Sequence, residues 1–380
     1  MGEKRGDHLT ASIRRVKQQK RRIITQHVKP EDRKGFAQLL TTLIPLSGLW
    51  WIAVQSADVS YWLTVGIALL MSLFLLRVFV LMHDCGHGSL FRTATLNRVF
   101  GFFFGVVAGI PQYVWSKHHA HHHATNGNWA KYRGPLAIVS VDEYRALTGK
   151  EQRQYQRARS VWLAPVAGFL YLIFNPRATW LKGSVSLAGH VITRIVAHPR
   201  MSIEAAAADF ETPYWASSKE YWHMFWNNMV LLSLWLLMSC IIGPALFFTV
   251  YAISVSLAGG AGIVLFTVQH NFEHAYASGT EGWDCDTAAI RGTSFLILPP
   301  WLNWFTANAA HHHIHHLSAR IPNYCLLKCH TQHERYFSEV SRVKLSQIPQ
   351  ALKCILWDTR MHQIISIAEY EQQNRPVNSV

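Results

Sequence analysis

From Tyr221 to Phe272 the chain reads YWHMFWNNMVLLSLWLLMSCIIGPALFFTVYAISVSLAGGAGIVLFTVQHNF, without a single Asp, Glu, Lys or Arg. A hydrocarbon core is crossed by about 20 mostly apolar residues, so this stretch is long enough for two crossings. Gly243-Pro244 supplies the turn between them. The sequence predicts one spanning helix from about Phe225 to Ile242 and another from about Ala245 to Thr267. Two more runs of that length precede them, about Phe36 to Val54 and Tyr61 to Met82, joined by Gln55–Ser60, which has no Lys or Arg. Arg77 lies inside the second run, close enough to its end to snorkel toward the interface.

Two other apolar stretches, Val99–Val114 and Val161–Phe174, are too short for ordinary crossings. The first is expected to lie in the membrane plane or to re-enter, and the second to be an interfacial helix. Residues 294–306, with Pro299-Pro300, Trp301 and Trp304, also read as interfacial, and the tail after Tyr324 reads as amphipathic and ordinary. The expected fold is an all-α membrane protein: four transmembrane helices, a cytoplasmic helical cap and one or two interfacial helices.

Composition agrees with a membrane chain. Of 380 residues, 50% are hydrophobic and only 15% are charged. The net charge of +14 is concentrated early, at Arg14, Arg15, Lys17, Lys20, Arg21 and Arg22. A basic tail can bind nucleic acid, but a span follows this one directly. A cytoplasmic flank against anionic lipid is the better reading, and no nucleic-acid partner is expected. The positive-inside rule then puts both termini and every span end that returns to that side in the cytoplasm. The polar start is wrong for a secretory signal, and the six cysteines form no CxxC pair and read as reduced thiols. Residues 1–34 are expected to form a mobile basic arm, 35–335 a membrane catalytic unit and 336–380 a cytoplasmic tail.

Histidines gather just beyond the apolar runs. His312, His315 and His316 stand at i, i+3 and i+4, as do His119, His122 and His123, while His83 and His87 stand at i and i+4. On a helix such positions share a face. His270 follows the last span, within Gln269-His270-Asn271-Phe272-Glu273-His274. Neutral imidazole is the commonest metal ligand. Nine such residues exceed one ion's needs, so two metals with about four to six ligands each are expected. Asp84 and Glu273 are candidates to orient imidazoles. Hydrolytic zinc would want a carboxylate base, as in HExxH, and that motif is absent, so redox iron fits better. His118, His121, His311 and His313 fall off the shared faces, although His118, His121 and His122 also satisfy HxxHH. His8, His27, His190, His198, His223, His330 and His333 are scattered and read as ordinary polar residues.

Taken together, these stretches resemble a known family. His83-Asp84-Cys85-Gly86-His87-Gly88-Ser89-Leu90-Phe91, the HxxHH of 119–123 followed by Thr125-Asn126, and His312-His313-Ile314-His315-His316-Leu317 with Arg320-Ile321-Pro322-Asn323-Tyr324 resemble the three histidine boxes of membrane fatty acid desaturases. The resemblance favours the register beginning at His119. It likens His270 to an additional histidine after the fourth span, with His274 a weaker candidate. It implies a non-haem centre of two iron ions, with dioxygen as co-substrate, that removes two hydrogens from an acyl chain and leaves a cis double bond. It further implies an acyl-lipid or acyl-thioester substrate. No haem-binding HPGG-type motif and no GxGxxG opening a helix is present, so a separate electron donor, a ferredoxin or b-type cytochrome, is implied. Trp115, Phe102, Phe103, Trp304 and Phe305 are candidates to line an acyl tunnel. A hydroxylase or ketolase of lipids, alkanes or carotenoids would share the same metal ligands. A metal transporter or haem protein would instead carry polar residues or paired histidines inside the spans.

Overall fold

The computed structural model describes residues 2–134 and 136–373, with side chains from residue 11 onward. The chain is mainly helical, and four helices are long and apolar enough to cross a membrane: Asp32–Ala57, Tyr61–Gly86, Ser218–Ile242 and Pro244–His270. They correspond to the four expected spans, extended where polar residues continue the helix. The third begins where the Ser217 side chain accepts from the Glu220 N–H, a helix N-cap. It ends at Gly243, whose φ of 83° is open to glycine at little cost. Pro244 then starts the fourth at the position where a missing N–H does no harm.

The fourth span packs most extensively against the second span and against the helix Ala164–Phe169. The latter contact is made backbone to backbone. A Cβ on Gly259 would stand 2.7 Å from the Cα of Gly168, and one on Gly168 would collide with the Gly259–Gly260 main chain. Lipid tails offer no hydrophobic drive for helix association, so close approach through small residues is what holds such a pair.

Val99–Val114 is not one straight helix. The helix Ala94–Ala108 stops, and Gln112–Thr125 departs at 99°. Gly109 (φ 80°) donates to the Val106 carbonyl and Ile110 donates to the Gly105 carbonyl, a Schellman stop. Pro111 follows. Val161–Phe174 is also helical but irregular: a 3-10 turn, the helix Ala164–Phe169 and a π turn Leu170–Phe174 running on into Asn175–Ala197. Arg177 satisfies the freed Leu172 and Ile173 carbonyls at 2.8 and 3.1 Å, and donates to Asn227 Oδ1 at 3.0 Å.

Three expectations need correction. Arg77 does not snorkel. It is buried, donates from Nε to Thr42 Oγ1 at 2.9 Å and from Nη1 to the Trp304 carbonyl, and lies over the Trp304 ring at 3.9 Å. It thus ties the first span and the short helix Pro300–Phe305 to the second span. Arg77→Ala would remove two hydrogen bonds from a charged donor, about 1.5–3 kcal/mol each, although the Thr42 hydroxyl keeps the Gln38 carbonyl and the Trp304 carbonyl keeps the Ala307 N–H. A lower unfolding midpoint in detergent is the expected result.

The basic arm is not free. It forms the helix Gly2–His27. Ile13, Val16 and Ile23 pack with Ile290, Leu317, Leu326 and Phe337, while Lys17 and Lys20 pair with Asp284 and Asp286 at 2.7 and 2.6 Å.

The tail is not merely amphipathic either. Parallel pairing joins β2 (Ser294–Ile297) to β3 (Ser341–Lys344). A second sheet has the order β1 (Val139–Ser140), β4 (Cys354–Asp358), β5 (Gln363–Ser366). Its buried residues Leu356, Ile364 and Ile365 pack with Trp129, Ile138 and Tyr155. The last seven residues of the expected tail, 374–380, lie outside the described residues.

Candidate metal centre

Four polypeptide ends converge above the spans. The second span delivers His83 and, one residue past its end, His87. Gly86 lets that end sit on the helix Gln112–Thr125, because a Cβ there would collide with Ser116 Oγ. Gln112–Thr125 carries His119, His122 and His123. The fourth span ends at His270, and the short helix His312–Leu317 carries His312, His315 and His316.

These nine side chains form two groups. His83, His87, His119, His123 and His315 offer nitrogens that all lie within 4.8 Å of one another, and His122, His270, His312 and His316 do the same. Within the first, the Nε2 atoms of His119 and His123, and of His123 and His315, are 3.0 Å apart. Within the second, Nε2 of His312 is 2.9 Å from that of His270. The groups adjoin: Nε2 of His122 is 3.2 Å from that of His316, and the His123 and His316 rings stack at 4.3 Å.

Desolvation, reinforced by neighbouring imidazoles, pushes His87, His119, His122, His123, His312, His315 and His316 well below the ordinary imidazole value of 6.5. They are therefore neutral, with lone pairs free to bind a cation. His87 Nε2 and His122 Nδ1 are buried with no partner. An all-imidazole donor set of this kind suits iron among other transition metals.

Asp84 adjoins the first group through His83. Its Oδ1 is 2.8 Å from His83 Nδ1, and its other oxygen accepts the Asn323 N–H at 3.2 Å. A carboxylate there holds the proton on Nδ1 and leaves Nε2 as the donor atom. Glu273 and His274 are placed differently from expectation. They belong to neither group and lie with Glu369, His274 being largely exposed. At His274 the chain adopts φ 61°, its N–H bound to the Ile364 carbonyl, and this turns the side chain outward.

His118 and His121 are exposed and belong to neither group, whereas His311 and His313 are buried. His330, expected to be an ordinary polar residue, is also buried. Its Nδ1 is 3.1 Å from His313 Nε2, and it is packed between Phe295 and Phe337. Sequence spacing offers no signal for a pair 17 residues apart. His330→Ala should lower stability by about 1–3 kcal/mol through the stranded His313 nitrogen and leave the metal content unchanged. Thermal unfolding and metal analysis of one preparation check both.

Beside the imidazoles lies a cavity of about 790 Å³, walled by the second and fourth spans and the segment 163–172. His83, His119, His122, His312 and His315 reach its wall. Of the expected tunnel aromatics only Trp115 lines it; its ring stacks on His119 at 4.6 Å and its Nε1 donates to the Tyr171 hydroxyl at 2.9 Å. Phe102 lines a separate pocket with Trp222 and Trp226, Phe103 is exposed, Trp304 covers Arg77, and Phe305 packs on Phe74. The other aromatics on the wall are Phe79, Phe266, Tyr132 and Tyr171. Burial raises the Tyr132 hydroxyl to about 12, so it stays protonated.

Fold and site together define a multi-pass helical membrane protein with two adjoining imidazole clusters on the wall of an apolar cavity. Comparison with known proteins narrows this class. The family model described as fatty acid desaturase matches residues 60–346. The chain is 31% identical to the "Fatty acid desaturase" of Bacillus subtilis over 344 residues, 90% of this chain and 88% of the relative. It is 25% identical to the "sn-1 oleoyl-lipid 12-desaturase" of a Picosynechococcus species, over 78% of this chain and 77% of that one. A 51-residue stretch, 13% of this chain and 14% of the relative, is 41% identical to the "sn-1 acyl-lipid omega-3 desaturase (ferredoxin)" of a Synechocystis species. The chain belongs to the fatty acid desaturase family, and it is an oxidoreductase that desaturates fatty acyl chains.

Proposed function

We propose that this enzyme introduces a cis double bond into the acyl chain of a membrane glycerolipid, with two iron ions, dioxygen and two electrons from a separate carrier. The observation that carries this reading is nine imidazoles in two groups of five and four on the wall of an apolar cavity. His83, His87, His119, His123 and His315 would hold one iron, and His122, His270, His312 and His316 the other. When bound, the irons supply the oxidising power that an unactivated C–H bond demands. The overall balance is closed: the acyl chain gives up two hydrogens, the carrier two electrons and solvent two protons, and dioxygen leaves as two waters.

The protein's own contribution is placement. Apolar walls hold a methylene pair against the imidazole face and keep water away. Asp84 fixes the His83 tautomer through the 2.8 Å contact. Trp115 backs the His119 ring and closes the wall toward Tyr171. Residues 35–335 would carry the chemistry, with 11–34 and 336–373 packed against them as supports.

A glycerolipid substrate is supported by the relatives named for oleoyl-lipid and acyl-lipid desaturation. A ferredoxin-type donor is supported by the Synechocystis relative's name and by the basic character of the chain, which favours an acidic partner. The arginines that precede the first span support a cytoplasmic side for the termini and the metal centre. The test is expression in a host that lacks desaturases, with gas chromatography of its lipids and iron analysis of the purified protein. New double bonds with about two irons per chain are expected. An added oxygen instead of a double bond would make the enzyme a hydroxylase.

A further inference from the structure

We propose that Gly262 sets how far an acyl chain can reach past the metal centre, and so which chain lengths the enzyme converts; this rests on the desaturase reading above. On the fourth span, Phe266 stands beside the imidazoles, its ring 5.0 Å from that of His122 and 5.2 Å from that of His270. Gly262 is one turn farther from the centre, about 6 Å along the axis at 1.5 Å per residue. Ala258 and Val255, one and two turns beyond it, still line the same cavity. The cavity lining therefore continues two turns past Gly262, and Leu75 and Leu172 belong to it too; we call this end the lower chamber. At the other end the lining is polar, with His118, His121 and Ser160. A lipid's head belongs at the polar end and its methyl end in the lower chamber, so the chain must pass Gly262.

Packing does not account for glycine at this position. Gly259 and Gly260 are required by contacts of 2.7–2.8 Å with the main chain of Gly168 and Pro165. A Cβ on Gly262 would meet only Leu76 Cδ1, at 3.8 Å. Glycine inside a helix costs about 1 kcal/mol relative to alanine, and here no close neighbour exacts it. What its bareness keeps open is the neck between the fourth span and Leu76. A larger side chain would plug that neck and leave the metal-binding residues untouched.

The experiment compares wild type, Gly262→Ala, Gly262→Leu and Gly262→Phe in a host whose lipids carry acyl chains of mixed length. Gly66→Leu is the control: Gly66 is exposed on the second span, with nothing within 4 Å of an added Cβ. Chromatography with mass spectrometry reads chain length and double-bond position, and iron content is measured on the same proteins. Gly262→Leu and Gly262→Phe should lower conversion of the longest chains at least about tenfold relative to shorter ones, as expected when an apolar pocket loses room for a methylene or more. Gly262→Ala should be intermediate, iron unchanged, and Gly66→Leu like wild type. A Gly262→Phe protein with wild-type proportions, or an iron-loaded Gly262→Leu protein equally slowed on every chain length, overturns the proposal. A wild type that forms no double bond removes the desaturase reading itself, and Gly262's role with it.

Discussion

His315→Ala should abolish desaturation and strip metal from the purified protein while the spans remain folded. His315 is the residue through which the third histidine box reaches the group of five. Its Nε2 is 3.0 Å from that of His123, and its ring lies 4.6 Å from that of His83 and 5.0 Å from that of His87. Removing one donor from an all-nitrogen site takes away a ligand that no nearby side chain replaces, since the adjacent carboxylate, Asp84, is committed to His83 and Asn323. Loss of a residue that merely orients a ligand costs about 10–100-fold in affinity or activity, so loss of a ligand should cost at least about 100-fold. The helix that carries it has only six residues, His312–Leu317, and stands outside the spans, so their packing should survive. Metal analysis and lipid chromatography on one preparation make the measurement. His198→Ala, exposed and outside both the imidazole groups and the cavity lining, should retain both metal and activity. Full activity in His315→Ala would break the ligand assignment.

Gly168→Val should be the most damaging single change to the fold. The two helices meet there main chain to main chain, and Gly259 would already place a Cβ 2.7 Å from the Gly168 Cα. A Cβ at 168 would itself collide with the Gly259 carbonyl carbon and the Gly260 nitrogen, so the helices must part. Overpacking of this kind costs about 1–3 kcal/mol and sometimes more. The displaced helix ends at His270, so metal binding should fall along with the unfolding midpoint in detergent. Gly189→Ala is the control: nothing lies within 4 Å of its Cβ, and alanine is the better helix former by about 1 kcal/mol. A Gly168→Val protein with unchanged midpoint and metal content would show that the contact is not tight in solution.

Helical periodicity carried the local part of the candidate site. The i, i+3, i+4 spacing placed His119, His122 and His123 on one side of a helix and His312, His315 and His316 on one side of another, and all six lie in the two groups. Glu273 and His274 show the limit of proximity in sequence. They follow His270 closely, but the chain leaves the helix there, and the positive φ of His274 sends its side chain to Glu369. The helical arm was hard to read because Ile13, Val16 and Ile23 are few among many cations, and what they bury against lies more than 250 residues away. The same holds for β1 and β4, which pair Val139 with Leu356. His330 escaped notice because burial beside His313 leaves no trace in spacing.

Four membrane crossings and the histidine-bearing turns follow directly from the order of residues. Exclusion of charge over about 20 positions and the 3.6-residue repeat are local properties that hold whatever the rest of the chain does. Division of nine imidazoles into five and four, the cavity beside them and the space beside Gly262 depend on how helices distant in sequence lie against one another. That packing is fixed by contacts such as Gly168 on Gly259 and Arg77 on the Trp304 carbonyl, between residues 91 and 227 positions apart. Contacts of that kind have no periodicity along the chain and become visible only when it is folded.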